Sequence, residues 1–420
     1  MGMVKRITAV IVLVVLGVGV AGIILVTLFP GAGARLARPL RALLGVQVVA
    51  QMEMALFTLQ DGARQVGYGL GLAEAEAPWQ LVPTRAATAV LPAVTPAAVA
   101  REGRGAREET PAPALSPSLP PASSSPRFST PTPSPRPPSP TPDQRPLPPV
   151  TPLGNLAGAG EWQPYLFDAA GNVVAWRTFL QPDETRPYAI VALVAFDLSQ
   201  TSLHYVLGYE EPALPDGPRG AGVIPAADRQ PGRLLATFNG GFMASHGAYG
   251  AMANGLTALP LKEGYATVAI TAEGEVLVGE WGSDIPVAGD YQALRQNARP
   301  VTHNGAINER VYDGSAITWG SSIDGDVVTW RSALGVSADG QTLYFAAGPS
   351  LSMPALAEAL LAAGVANSML LDINESWTHF AAIRADGDEL LAEPLMEGME
   401  YRANRYLHPS DRDFFYVTAP

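Results

Sequence analysis

A proline-dominated stretch divides this chain of 420 residues. From residue 111 to residue 152 Pro, Ser and Thr prevail, as in TPTPSPRPPSPTP. Proline brings no backbone donor to a helix or a sheet ladder, and with few aromatics to bury such a segment stays extended as a polyproline-II-like spacer. Helical or strand periodicity is already lost from residue 73, so residues 73–154 read as a disordered Pro/Ser/Thr-rich linker. Only the roughly 260 residues that follow are long enough to build a large core, since a domain of that size buries about three quarters of its unfolded surface.

Ahead of the linker, residues 7–29 are uncharged and apolar and follow Lys5 and Arg6. As a helix they would reach roughly 34 Å, so residues 1–30 read as a transmembrane signal anchor. A cleaved signal peptide is the alternative, favoured by Ala32-Gly33-Ala34 but disfavoured by an apolar run well beyond ~7–15 residues. In residues 31–72, Arg35, Arg38 and Arg41 recur among Leu36, Leu40, Leu43 and Leu44. This segment reads as a juxtamembrane amphipathic helix on the membrane surface, or as an ordinary solvated helical face. Val49, Met52, Leu56, Leu59, Ala63, Val66 and Leu70 then form a heptad-like seam, near the lower limit of ~3–4 heptads for self-association.

From residue 153 onward there are fourteen Lys/Arg and thirty-one Asp/Glu, a formal charge of about −17 against −12 for the whole chain. Such a surface repels phosphate backbones, so no nucleic-acid partner is expected. Cysteine is absent, which excludes a thiol nucleophile, a Cys-ligated metal and any disulfide framework. Asp324, Asp326, Asp386 and Asp388 lie in DGD turns without EF-hand spacing. No metal site and no cofactor is assigned, a divalent ion remaining open.

Within the C-terminal part, residues 188–198 and 202–207 read as adjacent strands, residues 234–238 as a buried strand ending in Asn239-Gly240-Gly241, and residues 266–271 and 276–279 as a further pair. Residues 333–338 and 341–347 flank the turn Asp339-Gly340 and predict a hairpin. Ser352 caps a helix whose stripe is Met353, Leu356, Leu360 and Leu361, Gly364 ends it, and an apolar strand, residues 365–371, runs out at Asp372. Strand, helix, strand is a crossover unit. The expected class is α+β, a mixed-sheet domain with few helices, preceded by a transmembrane helix and a Pro-rich linker.

In crossover sheets ligands sit beyond the carboxyl ends of the strands, where Asp372, Asn374, Glu375 and His379 cluster. A carboxylate ending an apolar run must face water, a metal or a ligand to stay charged. Glu375 makes a second carboxyl for acid and base work. His379 is a proton shuttle or a structural histidine. Asn239-Gly240-Gly241 lets backbone amides approach a ligand, or is a tight turn. Arg331 is a phosphate clamp or a strand-end arginine.

These residues carry a resemblance. Asn239-Gly240-Gly241-Phe242, then Arg331 with Leu334-Gly335-Val336 and Asp339-Gly340, then a helix and a strand ending in Leu371-Asp372, occur in the order that marks the phosphodiester glycosidase family of lysosomal uncovering-enzyme-like domains. From about residue 162 onward the chain resembles that domain. The resemblance implies hydrolysis of a sugar 1-phosphodiester, with Asn239, Arg331 and Asp372 on the family's motif positions, and an extracytoplasmic setting. Where the family continues with glycines and a serine, this chain has Ile373-Asn374-Glu375-Ser376. The expected function is therefore a membrane-anchored hydrolase whose extracytoplasmic domain, residues 155–420, cleaves glycosyl phosphodiesters of envelope glycans or polymers. Asp372, Glu375 and His379 are the catalytic candidates; Asn239, Gly240, Gly241, Arg331, Asn374 and Ser376 are the substrate-binding ones. The expected partners are the membrane, through the N-terminal helix, and a carbohydrate or glycosyl phosphodiester. The alternative is a non-catalytic glycan-binding module that stacks sugars on Trp377, Trp319 and Tyr312.

Overall fold

Long apolar runs such as VALVAFD need a sheet covered on both faces, and the computed structural model, which describes residues 43–81, 147–313, 319 and 328–420, supplies one. Its first sheet has the order β1 (Gln163–Phe167), β2 (Val173–Leu180), β3 (Val191–Asp197), β14 (Thr342–Leu351), β13 (Thr329–Ser337), β15 (Val365–Leu370). Side chains alternate across it. Ala192, Val194 and Phe196 of β3 face one core, which includes Phe238, Phe380 and Phe415, while Val191, Leu193 and Ala195 face another, packed on α2 (Met353–Ala362).

A second sheet runs β17 (Glu389–Pro394), β16 (Phe380–Asp386), β5 (Leu234–Asn239), β18 (Phe414–Thr418), β4 (Ser202–Val206). A third runs β7 (Leu256–Leu259), β6 (Ala251–Ala253), β10 (Tyr291–Asn297), β8 (Ala266–Thr271), β9 (Val276–Glu280). Short β11 (Thr302–His303) and β12 (Ala306–Ile307) pair with each other. All three large sheets contribute to the first core.

The expected class is corrected by this topology. Every ladder between these strands is antiparallel, so the sheets are not mixed, and the described residues are mostly β with two α-helices. The crossover through α2 does join two strands of like direction, but β13 lies between β14 and β15 and pairs antiparallel with both. The strands at 188–198 and 202–207 belong to different sheets rather than to one pair. The transmembrane helix of that class finds no support: no described helix is long and apolar enough to cross a membrane. The apolar run 7–29, the arginines at 35, 38 and 41, linker residues 82–146, and Asp324 and Asp326 lie outside the described residues.

Near the N-terminus α1 (Val46–Gly69) has two faces. Phe57 packs on the second core, Asp61 accepts from Arg186 Nε (3.0 Å) and from the Tyr188 hydroxyl (2.6 Å), and Tyr68 stacks on Tyr188 at 4.7 Å. Of the heptad-like seam, Val49 is buried while Met52, Leu59, Val66 and Leu70 are exposed. Packing resumes at residue 147, inside the expected linker, where Leu147, Val150 and Leu153 meet the second core and Thr151 N donates to Ala362 O.

Candidate active site

The loop 371–379 leaves β15 of the first sheet and enters β16 of the second, so one short segment joins two sheets. Its start is pinned to β13: Ser332 N donates to Asp372 O (2.9 Å) and Leu371 N to Ser332 O (2.8 Å). Its end is pinned to β5, where Asn239 N donates to His379 O (3.1 Å). Asn239 then spends its side chain between sheets, Oδ1 accepting from His379 N (3.0 Å) and Nδ2 donating to Ser332 Oγ (3.1 Å) and Gly240 O (2.9 Å). Asn239 is thus a buried tie rather than an open amide.

Asp372 is buried and its carboxylate is engaged on both oxygens. Oδ1 accepts from the amides of Ile373 (2.8 Å) and Asn374 (3.1 Å), and Oδ2 accepts from Arg412 Nη2 (2.9 Å). Burial raises the pKa of Asp372, and Arg412 with the two amides holds that rise in check. The same Arg412 nitrogen donates to Gly241 O (2.7 Å), and its guanidinium lies 4.5 Å from the Trp377 ring centre.

Arg412 is followed by Asp413, whose charge points the other way. Asp413 Oδ2 accepts from Arg295 Nε (2.7 Å), the Tyr205 hydroxyl (2.9 Å) and Gly241 N (3.2 Å), so consecutive residues clamp both sides of Gly241. Arg295 is fully buried; desolvation opposes its charge, yet Asp413 raises its pKa above the ordinary value. A Cβ on Gly240 would collide with the Asp413 carboxylate, and one on Gly241 would stand 2.9 Å from Arg295 Cζ. The two glycines admit this ion pair, a closer use than the ligand approach expected of them.

Other candidates divide between framework and mouth. Arg331 is fully buried and donates Nε to Leu351 O (2.8 Å). Asn374 Oδ1 accepts from Ser376 N (3.0 Å), an Asx turn that shapes the loop, and Ser376 O accepts from Arg405 Nη1 (2.6 Å). His379 is buried with Nε2 on Ala403 O (3.1 Å). Desolvation, aided by Arg405, pulls its pKa down to about 3, so the ring is neutral and tied to backbone.

Glu375 differs from all of these. It is exposed as a residue and accepts no hydrogen bond among the described residues, yet its carboxyl is crowded enough that desolvation raises its pKa, with Arg64 opposing. Two further guanidiniums stand by the loop, Arg412 at 4.5 Å and Arg405 at 5.5 Å from the Trp377 ring centre. No carboxylate among the described residues pairs with Arg405, which donates to the carbonyls of Ser376 and Tyr401. No group of three or more metal-ligating side chains occurs among the described residues. Of the aromatics proposed for sugar stacking, Trp319 is fully buried, Trp377 is covered by Arg412, and Tyr312 is exposed.

Reading the sequence alone missed Ser332, Arg295, Arg405, Arg412 and Asp413. One signal was present: Arg412-Asp413 abuts the apolar run FFYV, the same placement of charge against a buried strand that drew attention to Asp372.

No protein-family profile matches the chain and no curated protein does. Among solved structures it is similar to the catalytic domain of zebrafish N-acetylglucosamine-1-phosphodiester alpha-N-acetylglucosaminidase, auto-inhibited by pro-peptide, at TM-score 0.36 and 13% identity over 62% of this chain and 88% of that one. It is similar to a hypothetical protein from Synechocystis at TM-score 0.33 and 11% identity, over 62% of each chain. This is a weak likeness of fold. The chemistry of the site has to be argued from its own residues.

Proposed function

We propose that the domain hydrolyses glycosyl phosphodiesters of envelope glycans or polymers outside the cytoplasm, with loop 371–379, Arg405 and Arg412 as its active site. The observation that carries this reading is the pair of guanidiniums, Arg405 and Arg412, set against Trp377 of one loop in a segment whose formal charge is about −17. A cationic patch in an acidic surface focuses the field on an anionic ligand, and guanidinium forks match phosphate oxygens. The order of the motif residues from Asn239 to Asp372 supports the same reaction.

Roles follow from engagement. Asp372, with both oxygens taken, positions Arg412. Glu375, unbonded and with a raised pKa, is the general acid. In the reaction the anomeric carbon–oxygen bond breaks, the departing phosphate oxygen takes the Glu375 proton, and water adds to the anomeric carbon, its released proton restoring the Glu375 acid; Arg412 and Arg405 stabilise the phosphate charge. The test is turnover by the purified full chain of a panel of sugar-1-phosphodiesters against a simple phosphomonoester. Diester-selective turnover is expected, with Glu375→Gln lowering the catalytic constant by ~10², a barrier increase of about 2.7 kcal/mol. Because the acid must be protonated and its pKa is raised, wild-type activity should persist above the ordinary glutamate range and fall as pH rises through that raised value. No diester turnover would end this reading. The full engagement of Asp372 favours a second one, a glycan-binding module without catalysis, for which binding to isolated cell wall without product release is the discriminating result.

A further inference from the structure

The helix α1, from the other end of the chain, meets the end of the first sheet where loop 371–379 starts. Its inward stripe is Phe57, Asp61, Arg64 and Tyr68, and three of these four side chains are spent on docking to the core, to Arg186 and to Tyr188. Arg64 is not spent that way. Its Nη1 donates to Ser350 Oγ, and among the described residues no carboxylate stands within ion-pair distance of it. Arg64 is also the cation that Glu375 senses.

Ser350 is itself unusual. It is buried at the end of β14 with φ of 58°, the left-handed region that a serine enters only under strain. Such strain persists where surroundings impose it and clusters at ligand-contacting positions. Its neighbour Leu351 receives the Arg331 bond and pairs with Thr329, whose hydroxyl donates to Ile373 O (3.2 Å). Ser350 therefore belongs to the end of the sheet where loop 371–379 starts. A long flexible cation fixed to a neutral hydroxyl, near an unbonded carboxyl, keeps donors for an oxyanion.

We propose that Arg64, delivered by α1, is an anion-binding residue of this active site, holding a phosphodiester oxygen from the side of Ser350. The proposal rests on the phosphodiesterase reading above and extends it: residues 46–69 are part of the working site rather than only a juxtamembrane helix. It has a signature that mere helix docking lacks. Removing Arg64 takes away the charge that lowers the Glu375 pKa, so the alkaline limb of the activity profile must move to higher pH.

The experiment compares the full-length wild type with Arg64→Ala and Arg64→Lys. For Arg64→Ala the expected result is a KM raised about 10-fold or more with the catalytic constant little changed, an alkaline limb shifted upward, and an unchanged melting temperature. Arg64→Lys should return the limb to its wild-type position and recover only part of the KM, because a point charge replaces a fork. An unchanged KM and limb in Arg64→Ala, alongside active wild type, overturns the proposal and leaves the phosphodiesterase reading standing. A gain of activity also overturns it, since α1 would then obstruct the site. If the wild type turns over no diester, equilibrium titration with dimethyl phosphate decides: binding weakened about 10-fold by Arg64→Ala supports the anion site, and equal or absent binding ends it.

Discussion

Replacing Asp413 by Asn tests the frame on which this site depends. The Arg295–Asp413 pair is 2.7 Å long with side chains 0% and 1% exposed. Asparagine keeps the shape and one acceptor but leaves a fully buried guanidinium without its counter-charge. Breaking a buried pair from one side costs about 3–5 kcal/mol. The low end applies, because Arg295 still donates to the carbonyls of Phe242 (2.6 Å), Gln296 (2.8 Å) and Tyr249 (3.3 Å). A loss of ~3 kcal/mol corresponds to roughly 6–12 °C in Tm for a domain of this size. The assay is denaturant unfolding of wild type, Asp413→Asn, Arg295→Met and the double variant, with a coupling energy of about 2 kcal/mol expected. Being buried, the coupling should change little with salt. On the alkaline side it should persist: Asp413 raises the pKa of Arg295 above the ordinary arginine value against desolvation, so the arginine's contribution is lost only as pH rises through that raised value. A coupling under about 0.5 kcal/mol, or one abolished by salt, would refute the claim that this pair holds the Gly241 clamp.

Three further outcomes are expected. Gly241→Ala should destabilise by ~1–3 kcal/mol and raise KM, since the new Cβ would press on a fully buried guanidinium with nowhere to move; thermal unfolding with kinetics on the same sample checks both. For His379, whose pKa is lowered to about 3 by desolvation, the neutral ring's stability is complete above the ordinary histidine value of 6.5 and lost as pH falls from there towards 3. His379→Gln should flatten that part of the stability–pH curve, a difference on the order of 4 kcal/mol near pH 3. For Asp372, whose pKa is raised, the ionised form costs stability as pH rises out of the ordinary carboxylate range. Asp372→Asn should remove that slope while lowering turnover by ~10² through loss of the Arg412 anchor, and full activity in that variant would sink the anchoring role.

Much of the local structure was legible because its causes are local. Alternating apolar residues around Asp339-Gly340 predicted the hairpin of β13 and β14, and Ser352 does accept from Ala355 N at the start of α2. An apolar run stopping at a carboxylate placed Asp372 at the end of β15. These depend on turn geometry, capping and two-residue alternation, all written within a few positions of one another. What lay beyond the sequence was which strand neighbours which, because a strand buried on both faces carries no mark of its partner. So β13 slipping between β14 and β15 turned an expected mixed sheet into antiparallel ones. The site suffered the same limit. Arg412 meets Asp372 from 40 positions away and Arg295 meets Asp413 from 118, distances over which only the packing of three sheets sets side chains within bonding reach. Two expected ligand groups, the Asn239 amide and the glycines after it, became framework for that reason. Their residue types announced close approach, and the tertiary structure alone decided that what approaches is the protein's own buried charge.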